Sequence, residues 1–374
     1  MPIKVMTVFG TRPDAVKMAP VVLELKKHPD KARAIVAVTG QHREMLQQVL
    51  DAFSITPDYN LDIMQQKQTL AEITSRALTG LEEIIKKEQP DIVLAQGDTT
   101  TTFTASLAAF YNKVAVGHIE AGLRTDNKYD PFPEEMNRRL TGVIADLHFP
   151  PTEAAKENLL AEGVDPSAIH VTGNTVLDAL LSSAAKPYSF SDPNLAKIAE
   201  LSGRMILVTA HRRENWGEPM QRICNAIKRI VSAFPDAFVV FAVHKNPIVR
   251  DVVFPALSAT PGVHLIEPPD YLPFVHLLKK AYLVLTDSGG IQEEAPALGK
   301  PVLVMRKTTE RPEGVEAGTA KLVGTDEDEI FSSTSELLTN NVLYNRMAKA
   351  INPYGDGRAA QRICQIIFKY FGAA

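Results

Sequence analysis

The chain has 374 residues, 45% of them hydrophobic and 22% charged, with a formal net charge of −4. At roughly 100–200 residues per domain that length holds two domains, each able to bury its own core, and the composition is that of a globular enzyme. The slight acidity and the lack of a long Lys/Arg run exclude a nucleic-acid partner, because binding a phosphate backbone needs clustered cations.

The N-terminal run MPIKVMTVFG reads as a buried first strand rather than a signal peptide. No apolar run approaches the ~20 residues that span a bilayer, so the expectation is a cytoplasmic protein with no membrane partner. Short β-branched runs then recur at 3–9, 34–38, 92–95, 114–118, 205–209, 238–243, 263–266, 283–286 and 302–305. Amphipathic stretches of helical length lie between most of them, as at 15–27, 70–87, 220–234 and 293–298. This alternation predicts parallel sheets covered by helices on both faces. A seam is expected at Gly173–Asn174, after which 182–202, with Pro187 and Pro193, is less patterned until the rhythm restarts at Met205. The domains are therefore expected at 1–172 and 173–357, with a last helix within 358–374 crossing back to the first domain by analogy with two-domain enzymes. Cys224 and Cys364 have no metal or CxxC spacing and read as reduced, partly buried thiols.

In open α/β sheets ligands bind beyond the carboxyl ends of strands, so the residues following each strand carry the functional reading. After the first strand come Gly10, Thr11, Arg12, Pro13 and Asp14, with Lys17 one turn into a helix. Arg12 and Lys17 at a helix start read either as an anion clamp or as two solvated cations. Asp98 follows Gln96–Gly97 and precedes Thr99 to Thr102; it reads as a helix N-cap or, equally, as a catalytic candidate. Glu120 follows the next strand, and Glu134 opens a helix after the loop 125–131. One carboxylate at a helix start is commonly a dipole complement, but three facing one site would have their pKa values pushed apart, preparing acid and base.

In the second half His211, followed by Arg212 and Arg213, ends a strand. The run Thr286-Asp287-Ser288-Gly289-Gly290-Ile291-Gln292-Glu293-Glu294 is the strongest local signal: a strand ends, small residues turn the chain, and a helix start offers its N–H groups to a phosphate. Glu293 or Glu294, one turn in, is placed to accept a ribose hydroxyl pair. The GxGxxA match at 355–360 follows no strand and is rejected as a nucleotide fingerprint. Walker A, HExxH and nucleophile-elbow motifs do not occur, and the nine histidines suggest no metal site.

Taken together, FGTRPDAVKMAP, GQHREML, QGDTTTT, GHIEAGLRT, PFPEEMNRRL, VTGNTVLDAL, TAHRREN, TDSGGIQEEAPALGKPVLVMR, TERPEGVEAGT and NPYGDG resemble the non-hydrolysing UDP-N-acetylglucosamine 2-epimerases of bacteria, in order over nearly the whole chain. The resemblance implies an α/β, glycosyltransferase-B-like fold of two Rossmann-like domains facing across a cleft, a homodimer, a UDP-sugar substrate, no cofactor and no metal. By position it places Asp98, Glu120, Glu134 and His211 among catalytic residues. It places Arg12, Lys17, Ser288, Gly289, Gly290, Glu294 and Arg311 on UDP, and Phe274 on uracil. Gln96 stands where many members carry His, Asp14 where Glu is usual and Lys307 where Asp or Asn is usual. For the family's second, activating nucleotide-sugar site, Gln41, His42, Arg43 and His244 match, whereas Glu44 and Lys67 stand where some members have Gln and Arg. A Glu beside a diphosphate is electrostatically unfavourable and argues against such activation here.

The chemistry this implies is set by carbon 2 of the sugar, whose proton is not acidic because no carbonyl adjoins it. Oxidising the sugar first needs a nicotinamide site, for which the sequence has no fingerprint. Departure of UDP first develops positive charge at C1 and acidifies the C2 proton, giving a 2-acetamidoglucal that takes UDP back with a proton on the other face. A hydrolysing 2-epimerase, a glycosyltransferase of the same fold, and a nucleotide-sugar sensor without catalysis are the alternative readings.

Overall fold

Buried β-branched runs and amphipathic segments assemble into two parallel sheets of six strands each. The computed structural model describes residues 2–40, 43–65 and 67–373, the side chains of residues 43 and 44 excepted. The chain forms two compact units, Met1–Ala179 with Tyr354–Ala374, and Leu180–Pro353. The first contains β1 (Ile3–Phe9), α1 (Arg12–Lys26), β2 (Ala32–Val38), α2 (Arg43–Ala52), β3 (Tyr59–Asn60), α3 (Leu70–Glu88), β4 (Ile92–Gln96), α4 (Thr100–Tyr111), β5 (Ala115–Ile119), α5 (Glu134–Ile144), β6 (Leu147–Phe149) and α6 (Glu153–Ala161). The division between the units falls within α7 (Thr175–Ala185). The second unit contains α8 (Pro193–Glu200), β7 (Arg204–Thr209), α9 (Glu218–Ala233), β8 (Ala237–Ala242), α10 (Pro247–Leu257), β9 (Val263–Ile266), α11 (Tyr271–Lys280), β10 (Leu283–Thr286), α12 (Gly289–Ala297), β11 (Val302–Val304), α13 (Pro312–Glu316), β12 (Ala320–Leu322), α14 (Glu327–Thr339) and α15 (Asn341–Ala348). α16 (Ala359–Tyr370) returns to the first unit.

The sheet orders are β3-β2-β1-β4-β5-β6 and β12-β11-β10-β7-β8-β9. Both are the Rossmann order, and two such units in one chain make the glycosyltransferase-B-like class. The order reverses between β1 and β4 in the first sheet and between β7 and β10 in the second. Chain leaving the two strands at such a point goes to opposite faces, opening a crevice at their carboxyl ends.

The strands are continuously apolar because helices cover both faces. β4 and β8 are buried along their whole length. In the first unit Met6, Val8, Ile35, Leu81, Val93 and Val116 belong to one core cluster; in the second, Ile206, Val208, Ile227, Val239, Leu285 and Leu303 belong to another.

Three edge strands, β3, β6 and β12, were not expected; at two or three residues they are too short for a period to appear. The less patterned stretch 182–202 holds α8, capped by Asp192, which accepts from the N–H groups of Asn194 and Leu195. α12 starts four residues before the expected 293, at Gly289, because a glycine pair has poor helix propensity and hides the start.

α4 opens on β-branched threonines, which favour strands. Packing overrides that preference. Thr99 caps the helix, Thr102 Oγ1 donates to the Gln96 carbonyl at 2.5 Å, and Thr101 Oγ1 meets Thr39 Oγ1 at 2.9 Å. The threonine hydroxyls crowd the turn after β1: a Cβ on Gly10 would lie 2.1 Å from Thr39 Oγ1 and 2.5 Å from Thr101 Oγ1.

α16 buries Ile363, Cys364, Ile367 and Phe368 and packs on α1, the Phe368 ring meeting His28 edge-on at 5.5 Å. Asp178 holds its start, accepting from the N–H groups of Ala359 at 3.2 Å and Ala360 at 2.9 Å. Among the described residues no helix is long and apolar enough to cross a membrane, and no group of three His, Cys, Asp or Glu could hold a metal ion. Losing the Asp178 cap costs about 1 kcal/mol, within the usual range for a helix N-cap. Asp178→Ala should therefore lower the urea midpoint while leaving the unfolding slope unchanged; an unshifted midpoint would show that the cap contributes nothing.

Candidate functional site

In the first unit the switch point between β1 and β4 collects the expected residues. Thr11 caps α1 in a box with Asp14, which puts Arg12 in the first helical turn and Lys17 one turn on. Lys17 Nζ lies 2.6 and 2.7 Å from the two oxygens of Glu120. Gln96 Nε2 donates to Glu120 Oε2 at 2.7 Å, and Asn174 Nδ2 donates to Oε1 at 2.9 Å. Glu120 is 8% exposed and so accepts these bonds almost out of solvent. Its backbone sits at φ +63°, where a non-glycine residue is held against a steric penalty.

The turn after β4 is tied to the same place. Gly97, at φ +72°, donates its N–H to the Ile119 carbonyl at 2.9 Å and receives His118 Nε2 on its own carbonyl at 2.7 Å. Burial pushes the His118 pKa down to about 3. The ring is therefore neutral and Nε2 carries the proton it donates. Asp98 does not cap α4; that position belongs to Thr99. Asp98 instead pairs with the Arg138 guanidinium, and its carbonyl accepts from Asn137 Nδ2 at 2.9 Å. Both partners lie on α5, whose first residue is Glu134. Arg138 is itself 3.3 Å from the buried Glu135. α5 thus holds the turn that carries Asp98 and displays Glu134, half-buried, at its N-terminus.

In the second unit β7 and β10 form the equivalent pair. Asp287, wholly buried, accepts on Oδ2 from the N–H groups of His211 (2.8 Å) and Arg212 (2.9 Å) and from Asn215 Nδ2 (2.9 Å). Its Oδ1 lies 3.0 Å from His211 Nδ1. Burial alone would raise its pKa, but the His211 ring and these N–H donors outweigh burial and hold it below the usual carboxylate value. The His211 ring thus turns Nδ1 toward Asp287 and is 40% exposed. Ser288 precedes α12, and its side chain makes no cap bond to the helix start. Cβ atoms on Gly289 and Gly290 would meet nothing closer than 3.8 and 3.7 Å, so neither glycine is demanded by the protein's own packing. Glu293 is buried and paired with Arg311, whereas Glu294 is half-buried.

Phe274 is half-buried on α11. Of the expected second nucleotide-sugar set, Gln41 and His42 lie outside the described residues, as do the side chains of Arg43 and Glu44. Lys67 is exposed at φ +55°. His244 is exposed and stacks on His211, ring centroids 5.6 Å apart. The sequence reading missed Asn174, His118, Arg138 and Asp287 as partners of the candidate residues. Asp287 stood beside a recognised helix start and was findable there; the others are specified by three-dimensional packing alone.

Residues 23–368 match the family model described as UDP-N-acetylglucosamine 2-epimerase. The chain is 58% identical over 370 residues to the UDP-N-acetylglucosamine 2-epimerase of Bacillus subtilis (strain 168), covering 99% of this chain and 96% of that relative. It is 53% identical over 377 residues to the enzyme of that name from Escherichia coli (strain K12), covering 97% and 98%. A crystal structure of UDP-GlcNAc 2-epimerase from Neisseria meningitidis bound to UDP-GlcNAc matches with a TM-score of 0.86 at 51% identity, covering 98% of this chain and 100% of that one.

Asp14 is buried beneath this cluster, accepting from Thr99 Oγ1 at 3.1 Å and the Thr11 N–H at 3.3 Å. Burial raises its pKa from 3.8 to about 6, against the lowering effect of Thr11, Lys17 and Thr99. Between those values the folded protein holds a proton that the unfolded chain releases. The contribution of this group to stability is therefore present in full below pH 4 and declines as pH rises through 6, by up to about 3 kcal/mol. Asp14→Asn should remove that decline, so the stability difference between variant and parent in urea should change steadily from pH 4 to pH 7; a constant difference would contradict the raised pKa.

Proposed function

The chain belongs to the UDP-N-acetylglucosamine 2-epimerase family, and we propose that it converts UDP-N-acetylglucosamine reversibly to UDP-N-acetylmannosamine by eliminating and re-adding UDP, without hydrolysis and without a cofactor. The observation that carries this reading is the placing of Asp98 and Glu120, with Lys17, at the carboxyl ends of β4 and β5, with Glu134 opening the helix whose Arg138 holds Asp98. In the forward direction the C1–O bond breaks and its electron pair leaves with the diphosphate. A carboxylate takes the C2 proton, and the C2–H pair becomes the C1=C2 bond of 2-acetamidoglucal. An acid on the opposite face then returns a proton to C2 as the diphosphate oxygen adds back at C1.

The residues fit these tasks. Arg12, Lys17 and the N–H groups at the Ser288–Gly290 helix start meet the charge that develops on the leaving diphosphate. Neither glycine is closely packed by the protein, which suits such an approach. His211, oriented by Asp287, presents Nε2 to the diphosphate. Glu294 accepts the ribose hydroxyls, Phe274 contacts uracil and Arg311, steadied by Glu293, completes the UDP contacts. Two of Asp98, Glu120 and Glu134 serve the two faces of C2. Retaining both glycal and UDP is what separates this reading from hydrolysis, since loss of either prevents re-addition. The reading includes the cytoplasm, expected from the sequence, as the place of action.

Incubation with UDP-N-acetylglucosamine in D2O, without added metal or nicotinamide, should yield UDP-N-acetylmannosamine deuterated at C2 with UDP attached, followed by proton NMR. Free N-acetylmannosamine with free UDP would move the reaction to the hydrolysing class. Asp98→Asn, Glu120→Gln and Glu134→Gln should each lower kcat by roughly a hundredfold or more, with nearly unchanged Tm; near-normal turnover in all three would remove the carboxylates from the mechanism.

The homodimer is part of the same proposal. Phe110, Tyr111, Leu140 and Val143 are exposed on the adjoining helices α4 and α5, and Phe110 and Ile144 line one surface hollow. Charge placed on this apolar face should split a dimer. Phe110→Glu combined with Val143→Glu is expected to halve the mass seen in sedimentation equilibrium; an unchanged mass would move the interface elsewhere.

A further inference from the structure

We infer that Gln96 is a positioning residue for the reaction: its side-chain amide holds the Glu120 carboxylate in place when the Lys17 ammonium is drawn to the substrate's diphosphate. The inference rests on the epimerase reading above and adds to it a residue that contacts no substrate. Gln96 ends β4, is 2% exposed, and sends Nε2 to Glu120 Oε2 at 2.7 Å. Its backbone is fixed independently, since its carbonyl accepts from Thr102 Oγ1 at 2.5 Å and the strand pairs with Ile119 at the end of β5. The amide therefore comes from a rigid strand end rather than from a loop.

Without substrate, Lys17 bridges both oxygens of Glu120. The same ammonium is needed by the leaving diphosphate, and a single point charge attracted to two phosphate oxygens is pulled away from a carboxylate it shares. Gln96 on one oxygen and Asn174 on the other are then among the donors that still hold Glu120. Glu120 has no slack in its backbone, which is already held at φ +63°. An amide also donates at every pH, whereas a titrating donor in this position would make the orientation of Glu120 depend on pH.

Two variants test this against the parent enzyme, by UDP-N-acetylglucosamine turnover from pH 5.5 to 9. Gln96→Leu removes the donor and should lower kcat by about one to two orders of magnitude across the range, with KM little changed, because the error is in placing a reacting group and not in binding. Gln96→Glu keeps the shape but sets a second carboxylate against Glu120. Like charges so close share a proton. On the acid side the new carboxyl is protonated and donates as the amide did; at high pH both groups are charged and the hold is lost. This variant should regain activity toward pH 6 and lose it as pH rises, a dependence that simple loss of packing does not produce. Turnover of Gln96→Leu within twofold of the parent, or a Gln96→Glu profile parallel to the parent's, overturns the inference. If Gln96→Leu fails to fold by circular dichroism, the isosteric Gln96→Glu profile decides alone. A parent enzyme without turnover sinks the epimerase reading and this inference with it, whereas an active parent with unaffected variants sinks only the inference.

Discussion

The reversal of strand order in each sheet is the constraint on which the rest of the structure depends. Parallel strands need crossover connections, and those connections are right-handed, so successive strands laid on one side place their helices on one face. When the order reverses between β1 and β4, and again between β7 and β10, the two chains leaving adjacent strands must part. Their first residues are left facing a gap that no helix fills. Arg12, Lys17 and Asp98 in the first unit and His211 and Ser288–Gly290 in the second occupy these positions because the topology leaves them nowhere else to go. Glu120 comes from β5, one strand further out, and needs its unusual backbone conformation to share the gap.

Acidic groups placed at a half-buried strand edge must be satisfied, and the units solve this differently. The second unit uses two main-chain N–H groups and one side-chain amide, Asn215. The chain after β7 turns so that His211 and Arg212 both donate to Asp287, and the carboxylate stays charged while it fixes the imidazole. The first unit uses side chains: Lys17, Gln96 and Asn174 around Glu120, and Arg138 on Asp98. Asp14 beneath them has only hydroxyl and main-chain donors with a lysine nearby, and burial prevails. Main-chain donors survive any substitution but proline, so two of the three donors to Asp287 Oδ2 do not depend on side-chain identity, whereas the Glu120 cluster can be tuned one side chain at a time.

Legibility in the sequence followed the range of the interactions involved. Short β-branched runs and apolar helix faces depend on near neighbours, so β1, β9 and β10 were read with their bounds unchanged and most other strands to within two residues. Edge strands of two or three residues contain no period and were lost. The start of α12 was obscured because its opening glycine pair weakens the helix signal. Asp98 was left open between a helix cap and a catalytic candidate; the structure gives the cap to Thr99 and ties Asp98 to α5. The partners Asn174 and Arg138 lie 54 and 40 residues from the carboxylates they hold. No local pattern specifies a contact at that separation, and only the fold brings it about.

The same residues explain how the first unit keeps Asp98 and Glu120 near one another without losing its form. The Gly97 turn is clamped from β5 at both its N–H and its carbonyl, the latter by a neutral histidine that cannot add charge. Glu120 leaves the end of that same strand in a left-handed conformation that costs about 1–2 kcal/mol. Strain of that size persists only where the surroundings over-determine it. Here they do: the residue's N–H bonds the Phe149 carbonyl at 3.1 Å, its carboxylate is held from several directions, and a Cβ on Gly97 would approach its Oε2 to 3.3 Å. Position in this cluster is thus set by strands and helix ends rather than by mobile loops, the condition under which charged groups can be held at the tolerance proton transfer requires.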